Sequence, residues 1–438
     1  LVHTVSSLTG TEFYPIVTAS ATGSTHSVIN LGQDDSFAGN KTSGSAGASD
    51  ANGLGTFYYS PPAGLALCTS NLPDPTIGPG QSSQSNDHFD TVLYVGDGTS
   101  SNAISGILQP DWVWIKNRNR STPSAISHVL QDSVRGIGDN GVNFNTLSSD
   151  SSGIQFNQSD ADGVSSLNSD GFTVGYTNSY AWNASSDSYV AWCWKAGGAP
   201  TATNTETSGA MTSGSVFING SSTSFTPHSD TTIYPKKISA NRAAGFSITL
   251  YAGNDATSAK VPHGLSSAPE AIIIKNLQET ITGPSWPVGH IGTASDPWTD
   301  YFDLEDGGKA LDAQTVWYDT APTSNVVSLG TADSVNSGSE HIMYCFHSVE
   351  GFSKVSSYTG GGSNFPFIFT GFRPRWLLIK EVDNTNSWEI YDTARDPDNV
   401  ASQRLFPNSS QEEATTSPSL DILSNGFKPR ASNTGINR

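Results

Sequence analysis

One block of sequence recurs three times in this 438-residue chain and limits what it can fold into. Each copy opens on an aromatic residue and Tyr-x-Gly. After a spacer, a proline leads into an apolar run that ends in lysine. The first copy has Phe89, Tyr94-Val95-Gly96 and Pro110-Asp111-Trp112-Val113-Trp114-Ile115-Lys116. The second has Phe246, Tyr251-Ala252-Gly253 and Pro269-Glu270-Ala271-Ile272-Ile273-Ile274-Lys275. The third has Phe352, Tyr358-Thr359-Gly360 and Pro374-Arg375-Trp376-Leu377-Leu378-Ile379-Lys380. Self-similarity of this kind marks repeated structural units with equivalent cores. The runs are short, β-branched or aromatic, and bounded by turn residues, so they read as strands. They are apolar at consecutive positions, which predicts central strands buried on both faces. Each proline sits just before its strand, where a missing N–H does least harm.

Further matches follow. Asp132-Ser133-Val134-Arg135 corresponds to Asp392-Thr393-Ala394-Arg395, and Ser169-Asp170-Gly171-Phe172 to Ser424-Asn425-Gly426-Phe427. The first copy closes on Tyr189-Val190-Ala191-Trp192-Cys193-Trp194 and the second on His341-Ile342-Met343-Tyr344-Cys345-Phe346, which puts Cys193 and Cys345 at equivalent positions. In the third copy the same offset, 18 residues from Gly426, reaches position 444, past Arg438. This favours continuation of the chain over a last strand supplied by a neighbouring chain.

Composition narrows the function classes. Ten Trp, 14 Tyr and 19 Phe exclude a disordered chain, while 43 Gly and 23 Pro suit short strands joined by many turns. The net charge is −19 with only 21 Lys and Arg, which argues against a nucleic-acid partner. Three widely spaced cysteines (Cys68, Cys193, Cys345) fit neither a disulfide framework nor a zinc site. No apolar run reaches the roughly 18 residues that suggest a membrane span, so no membrane insertion is expected.

The fold class is therefore all-β, with tandem antiparallel β-sandwich modules, which the family resemblance given below implies to be of jelly-roll, lectin-like type. Residues 1–69 read as the C-terminal part of a SPRY-like sandwich, 70–87 as a linker, 88–196 as repeat module 1, and 197–240 as a linker or insertion. Residues 241–349 read as module 2 and 350–438 as an incomplete module 3. The SPRY likeness rests on Phe13-Tyr14-Pro15-Ile16-Val17, on Val28-Ile29-Asn30-Leu31-Gly32-Gln33 through Phe37, and on Pro61-Pro62-Ala63-Gly64. Together with Leu65-Ala66-Leu67-Cys68 and the three modules, this series resembles tail-fibre and other virion appendage proteins of marine and cyanobacterial phages. The resemblance implies an external structural protein of a virion, extracellular, with other virion proteins as partners. It also implies a homo-oligomer, for instance a trimer, and contact with host-surface polysaccharide. It carries over no defined binding residues. Three alternatives stay open: a capsid or tail decoration protein without ligand, a polysaccharide-degrading tailspike, and a cellular surface adhesin.

Candidate sites are sparse. Trp112, Trp114, Trp192, Trp194 and Trp376 lie in two-sided apolar strands and read as core. Trp182, Trp286, Trp298 and Trp388 lie among polar residues, so these loop tryptophans are the ligand-binding candidates. Lys116, Lys275 and Lys380 read as lysines that snorkel from a sandwich edge or pair with an acid. The Asp-Ser/Thr-x-Arg motif reads as a corner in which the acid caps backbone N–H groups and pairs with the arginine. Asp160 and Asp162 are metal candidates, since their loop is rich in oxygen ligands suited to Ca²⁺, though it lacks a bidentate glutamate. No other cofactor is expected. No G-x-S-x-G, H-E-x-x-H or phosphate loop is present, and no catalytic function is expected.

Overall fold

The structure is a computed structural model. It describes residues 75–438 except 79, 121–125, 138–143, 154, 159–161, 177–178, 279–284, 294–297, 416–419 and 433–434. Of residues 1–74 it describes only Ala48, Ser49, Phe57 and Tyr58. The chain divides into two units, 1–74 and 75–438. In the first, Ala48 and Phe57 form an antiparallel bridge. The SPRY-like reading of residues 1–69 otherwise lies outside the described residues.

In the second unit nearly all regular structure is strand. Module 1 contains β1 (Phe89–Val95), β2 (Asn102–Ser105), β3 (Trp112–Asn117), β4 (Val129–Asp132), β5 (Phe144–Thr146), β6 (Phe156–Gln158), β7 (Gly163–Asn168), β8 (Gly171–Gly175) and β9 (Ser188–Trp194). One sheet has the order β1-β9-β3-β4, a second has β2-β8-β7, and β5 pairs with β6. Strand alternation gives β3 and β9 two apolar faces. Val113, Ile115, Ala191 and Cys193 pack with Phe172, Val174 and Ile104 of the second sheet, which makes the module's own sandwich core. Trp112, Trp114, Trp192 and Trp194 point the other way, into a different cluster.

The stretch 197–240, read as a linker or insertion, instead carries ordered strands: β10 (Val216–Ile218), β11 (Ser221–Ser222) and the start of β12 (Lys237–Asn241). Its Gly, Ser and Thr content signals turns, yet Val216, Ile218 and Ile238 are buried and anchor it. Module 2 follows with β13 (Phe246–Ala252), β14 (Ala259–Pro262), β15 (Ala271–Asn276), β16 (Pro287–His290), β17 (Asp300–Asp303), β18 (Leu311–Asp312), β19 (Val326–Leu329) and β20 (Glu340–Phe346). Its main sheet runs β11-β10-β12-β13-β20-β15-β16-β17-β18, and β14 pairs with β19. The β10–β12 pair is parallel. Ile272, Ile274, Met343 and Cys345 face the module's own core. The equivalence of the cysteines is a matter of register: Val113 lies opposite Cys193, and Ile272 opposite Cys345.

Module 3 is smaller. It has β21 (Ile368–Phe369), β22 (Trp376–Ile379), β23 (Glu389–Asp392), β24 (Leu420–Leu423) and β25 (Gly426–Pro429), in sheets β21-β25-β24 and β22-β23. Tyr391, Leu420, Ile422 and Phe427 form its core.

The fourth cluster belongs to all three modules. Trp112, Trp114, Trp192 and Trp194 meet Phe246, Ile273 and Tyr344, together with Ile390 and Leu405. Trp112 stacks on Tyr344 with ring centroids 4.4 Å apart, and Trp376 sits edge-on to Trp194 at 5.4 Å. So the inner sheets of the modules turn one apolar face to their own sandwich and the other to a shared centre.

The Tyr-x-Gly motif has a steric cause. A Cβ on Gly96 would lie 2.1 Å from the Ala184 carbonyl oxygen, on Gly253 2.0 Å from that of Ser337, and on Gly360 2.4 Å from that of Arg438. Only glycine admits this approach. Two residues earlier, the tyrosine hydroxyl donates to the carbonyl of Trp182, Val335 or Ile436. The next residues, Asn183, Asn336 and Asn437, are buried, and each accepts the backbone N–H that follows its glycine.

Candidate functional site

The four loop tryptophans do not face solvent. Trp182 and Trp286 are fully buried, and Trp298 and Trp388 are 6% and 5% exposed. None presents a ring to a ligand, which corrects the ligand reading. Trp182 fills the module 1 core, and Trp298 packs edge-on against Trp317 at 5.9 Å. Trp286 and Trp388 instead reach into neighbouring modules. The Trp286 indole N–H donates to the carbonyls of Ser148 (3.0 Å) and Ser151 (3.1 Å) in module 1. That of Trp388 donates to Asp303 (3.1 Å) in module 2. Polar neighbours in sequence marked these residues as loop residues, but the ring itself is covered by another module.

The three repeated lysines do the same. Lys116 and Lys275 are fully buried, so neither snorkels to solvent. The Lys116 ammonium donates to Asn117 (3.0 Å) and Ile126 (2.7 Å) in its own module and to Ser410 (3.2 Å) in module 3. Lys275 donates to Ser152 of module 1 (3.0 Å) and lies 5.3 Å from the Trp286 ring centroid. Lys380 donates to Gly307 of module 2 (3.3 Å) and lies 5.5 Å from the Phe302 ring. Burial pulls each amine down from its ordinary value to about 8, against the attraction of nearby acids such as Asp150 for Lys116.

These contacts close a ring. Module 1 reaches module 3, module 2 reaches module 1, and module 3 reaches module 2. The register makes His128 of module 1 the equivalent of Trp286 and Trp388. The backbone of Phe406 in module 3 interacts with its ring, while burial drives its pKa well below the usual range. The targets are equivalent too. Ser148 and Ser152, Asp303 and Gly307, and Phe406 and Ser410 are each four residues apart.

A second layer runs the same way. Asp132 caps the N–H groups of Val134 and Arg135 and pairs with the Arg135 guanidinium at 2.5 Å. Its outer oxygen accepts the hydroxyl of Tyr344 from module 2 at 2.8 Å. Asp392 caps Ala394 and Arg395, pairs with Arg395 at 2.6 Å, and accepts the indole N–H of Trp192 from module 1 at 3.0 Å. Tyr344 and Trp192 occupy the same position in β20 and β9. His290 holds the equivalent place in module 2, opposite Ala271 as Asp132 is opposite Trp112. Its Nδ1 accepts the Gly292 N–H, just as the aspartates accept theirs. The sequence places His128 and His290 near the lysine-ended strands without showing a partner for either, and it did not bring out the three buried asparagines as a set. Aligning the copies through strand register rather than residue identity would have found them.

The metal candidates separate. Asp160 lies outside the described residues. Asp162 is buried and accepts the Ser179 N–H at 3.2 Å. Among the described residues no group of three or more His, Cys, Asp or Glu could hold a metal ion. Cys193 and Cys345 are buried, and burial raises both thiols. Among the described residues no helix is long and apolar enough to cross a membrane.

The surface of module 3 carries an open groove of about 470 Å³, lined by Asn386, Ser387, Glu389, Arg404, Phe406, Ser432 and Gly435. Glu389 pairs with Arg404 Nη1 at 3.3 Å, and the Arg404 Nε donor has no hydrogen-bond partner. The groove thus combines an aromatic ring and a charged pair, with the Arg404 Nε donor buried beneath it.

The profile of a family described as a domain of unknown function (DUF7483) matches residues 84–226 and again 217–438. Comparison with curated proteins and with solved structures returns no match.

Proposed function

This chain belongs to the DUF7483 family, and from that premise we propose a non-enzymatic structural role, as a rigid element of an external virion appendage. One observation carries the proposal: the closed ring of contacts by which each module's lysine bonds a backbone carbonyl of the next module. Side chains of high chemical potential are spent on internal joints. The buried lysines, tryptophans, histidines and thiols are held away from any substrate, which suits a scaffold better than a catalyst. A ring of interlocked sheets resists local opening, as an extracellular part exposed to proteases requires. The test is location. Antibody against residues 75–438, gold-labelled, is expected to decorate the appendages of purified virions of a phage carrying the gene; absence from virions refutes the reading.

A host-surface glycan is the proposed ligand, and the module 3 groove is its proposed seat. A pyranose offers an apolar face to Phe406 and hydroxyls to Arg404, Glu389 and Asn386. Binding on glycan arrays, with and without Ca²⁺, is expected and should fall at least tenfold in Arg404→Ala. Binding to no glycan and to no host cell would favour a decoration protein instead. Release of reducing sugar would favour a tailspike enzyme.

A further inference from the structure

The free edge of β22 marks where the repeat is structurally incomplete among the described residues, and residues 352–358, the counterpart of β1 and β13, form no strand there either. In module 1, β3 is flanked by β9 and β4; in module 2, β15 is flanked by β20 and β16. In module 3, β22 pairs with β23 alone. The consequence shows in exposure. Val113 and Trp114 are 1% exposed, and Ile272 and Ile273 at most 6%, whereas the equivalent Leu377 and Leu378 are only half-buried. The clamp of the third frame is built: Tyr358, Gly360 and Asn437 are placed as in the other modules.

We propose that the β22 edge is a strand-acceptor site, and that its occupant is one extended apolar segment of the same type as β9 and β20, laid antiparallel from outside residues 75–438. An open edge offers unpaired N–H and C=O groups, and β-augmentation satisfies them with main-chain hydrogen bonds. The two finished modules fix the register. Trp112 lies opposite Trp194, and Ala271 opposite Phe346, so Trp376 faces the last aromatic of the incoming strand. Trp114 lies opposite Trp192, and Ile273 opposite Tyr344, so Leu378 faces the residue two places earlier.

That residue is the one that crosses to the next module. Following the ring, its counterpart is His290 of module 2, where the other modules present Asp392 and Asp132. The aspartates accept hydrogen bonds. His290 differs: its Nδ1 already accepts the Gly292 N–H, so in the neutral ring Nε2 carries the proton and donates. Burial lowers its pKa to about 4, so the ring is neutral at pH 7. The incoming side chain must therefore offer an oxygen. Tyrosine fits; tryptophan, which only donates, does not.

A synthetic copy of Glu340–Phe346 serves as the probe, added to the 438-residue chain, with amide exchange of residues 376–380 read by mass spectrometry. Saturating peptide is expected to slow exchange at least tenfold, and a scrambled peptide is expected to leave it unchanged. Equal effects of both peptides, or none from either, overturn the proposal. So does a concentration-dependent dimer whose β22 amides are protected without peptide, because a second copy would then fill the edge. The Tyr344→Trp peptide is expected to bind at least fivefold more weakly. In His290→Asp protein that preference should vanish, since an aspartate accepts from either side chain. Equal binding of both peptides to the unaltered chain overturns the register. None of these outcomes depends on glycan binding or on location in a virion.

Discussion

Replacing Lys116 with methionine is expected to widen its stability deficit as pH rises, which few surface lysines would do. The folded chain holds this amine near pKa 8, while in the unfolded chain it returns to about 10.5. A lysine with a lowered folded pKa opposes folding while charged. That cost is fully present below pH 8 and vanishes above pH 10.5, so the lysine's contribution improves across this window. With about 1.4 kcal/mol per pKa unit, the improvement between pH 7 and pH 10 is about 2–3 kcal/mol. Methionine fills similar space without titrating, and it leaves the carbonyls of Asn117, Ile126 and Ser410 without their shared donor. Each orphaned carbonyl costs about 1–3 kcal/mol, offset at pH 7 by relief of the buried charge. The variant is therefore less stable at both pH values, and the gap grows by about 2–3 kcal/mol towards pH 10. Urea unfolding of both proteins at pH 7, 8, 9 and 10 measures the gap directly. A gap that stays flat or narrows with pH would refute the buried, low-pKa lysine. The thiols, which burial raises, titrate equally in both proteins and cancel in the difference.

Trp286→Phe removes the donor to Ser148 and Ser151 and is expected to cost on the order of 2–4 kcal/mol, with faster amide exchange at 148–152 as the local signature. Tyr344→Phe and Trp192→Phe each leave a buried aspartate short of one donor. Tyr344→Phe is expected to lower unfolding free energy by about 1–3 kcal/mol and Trp192→Phe, which also gives up ring volume, by about 2–4 kcal/mol; a loss confined to one of the two would contradict the equivalence of the joints. Burial, with Asp303 alongside, raises the Glu305 carboxyl to about 7. Its stabilising contribution is present below about pH 4.5 and lost as pH rises through 7. Glu305→Gln should therefore gain on the parent between pH 5 and pH 8, by on the order of 1–3 kcal/mol in thermal unfolding.

The strands were legible because a doubled apolar face leaves a plain mark in sequence. The runs around Trp112, Ile272 and Trp376 are strands, and the first two are buried on both sides. What covers the second face was not legible. Hydrophobic pattern reports that a side chain is out of water, not which element excludes the water. That element here lies in another module, at a sequence distance of 200 for Trp192 and Asp392. The loop tryptophans show the same limit. Trp286 bonds carbonyls 138 and 135 residues away, and backbone acceptors carry no sequence signature. The strands of the stretch 197–240, read as a linker or insertion, were not legible for a related reason. Its composition is that of a linker, while the few apolar residues that pin it to the sheet are spaced too far apart to form a pattern.

The ring of modules also has an evolutionary consequence. Three identical chains closing such a ring would receive every mutation in triplicate, and one tolerated at a single joint would be tested at all three. Here each joint is encoded separately. His290 could replace an aspartate in module 2 while Asp132 and Asp392 stayed, and the exposed strand β21 of module 3 could acquire Phe369 where module 1 has Ser105. Covalent linkage also makes closure independent of concentration, because the partners cannot diffuse apart. One face is thus free to drift towards a new ligand while the other two keep the ring shut.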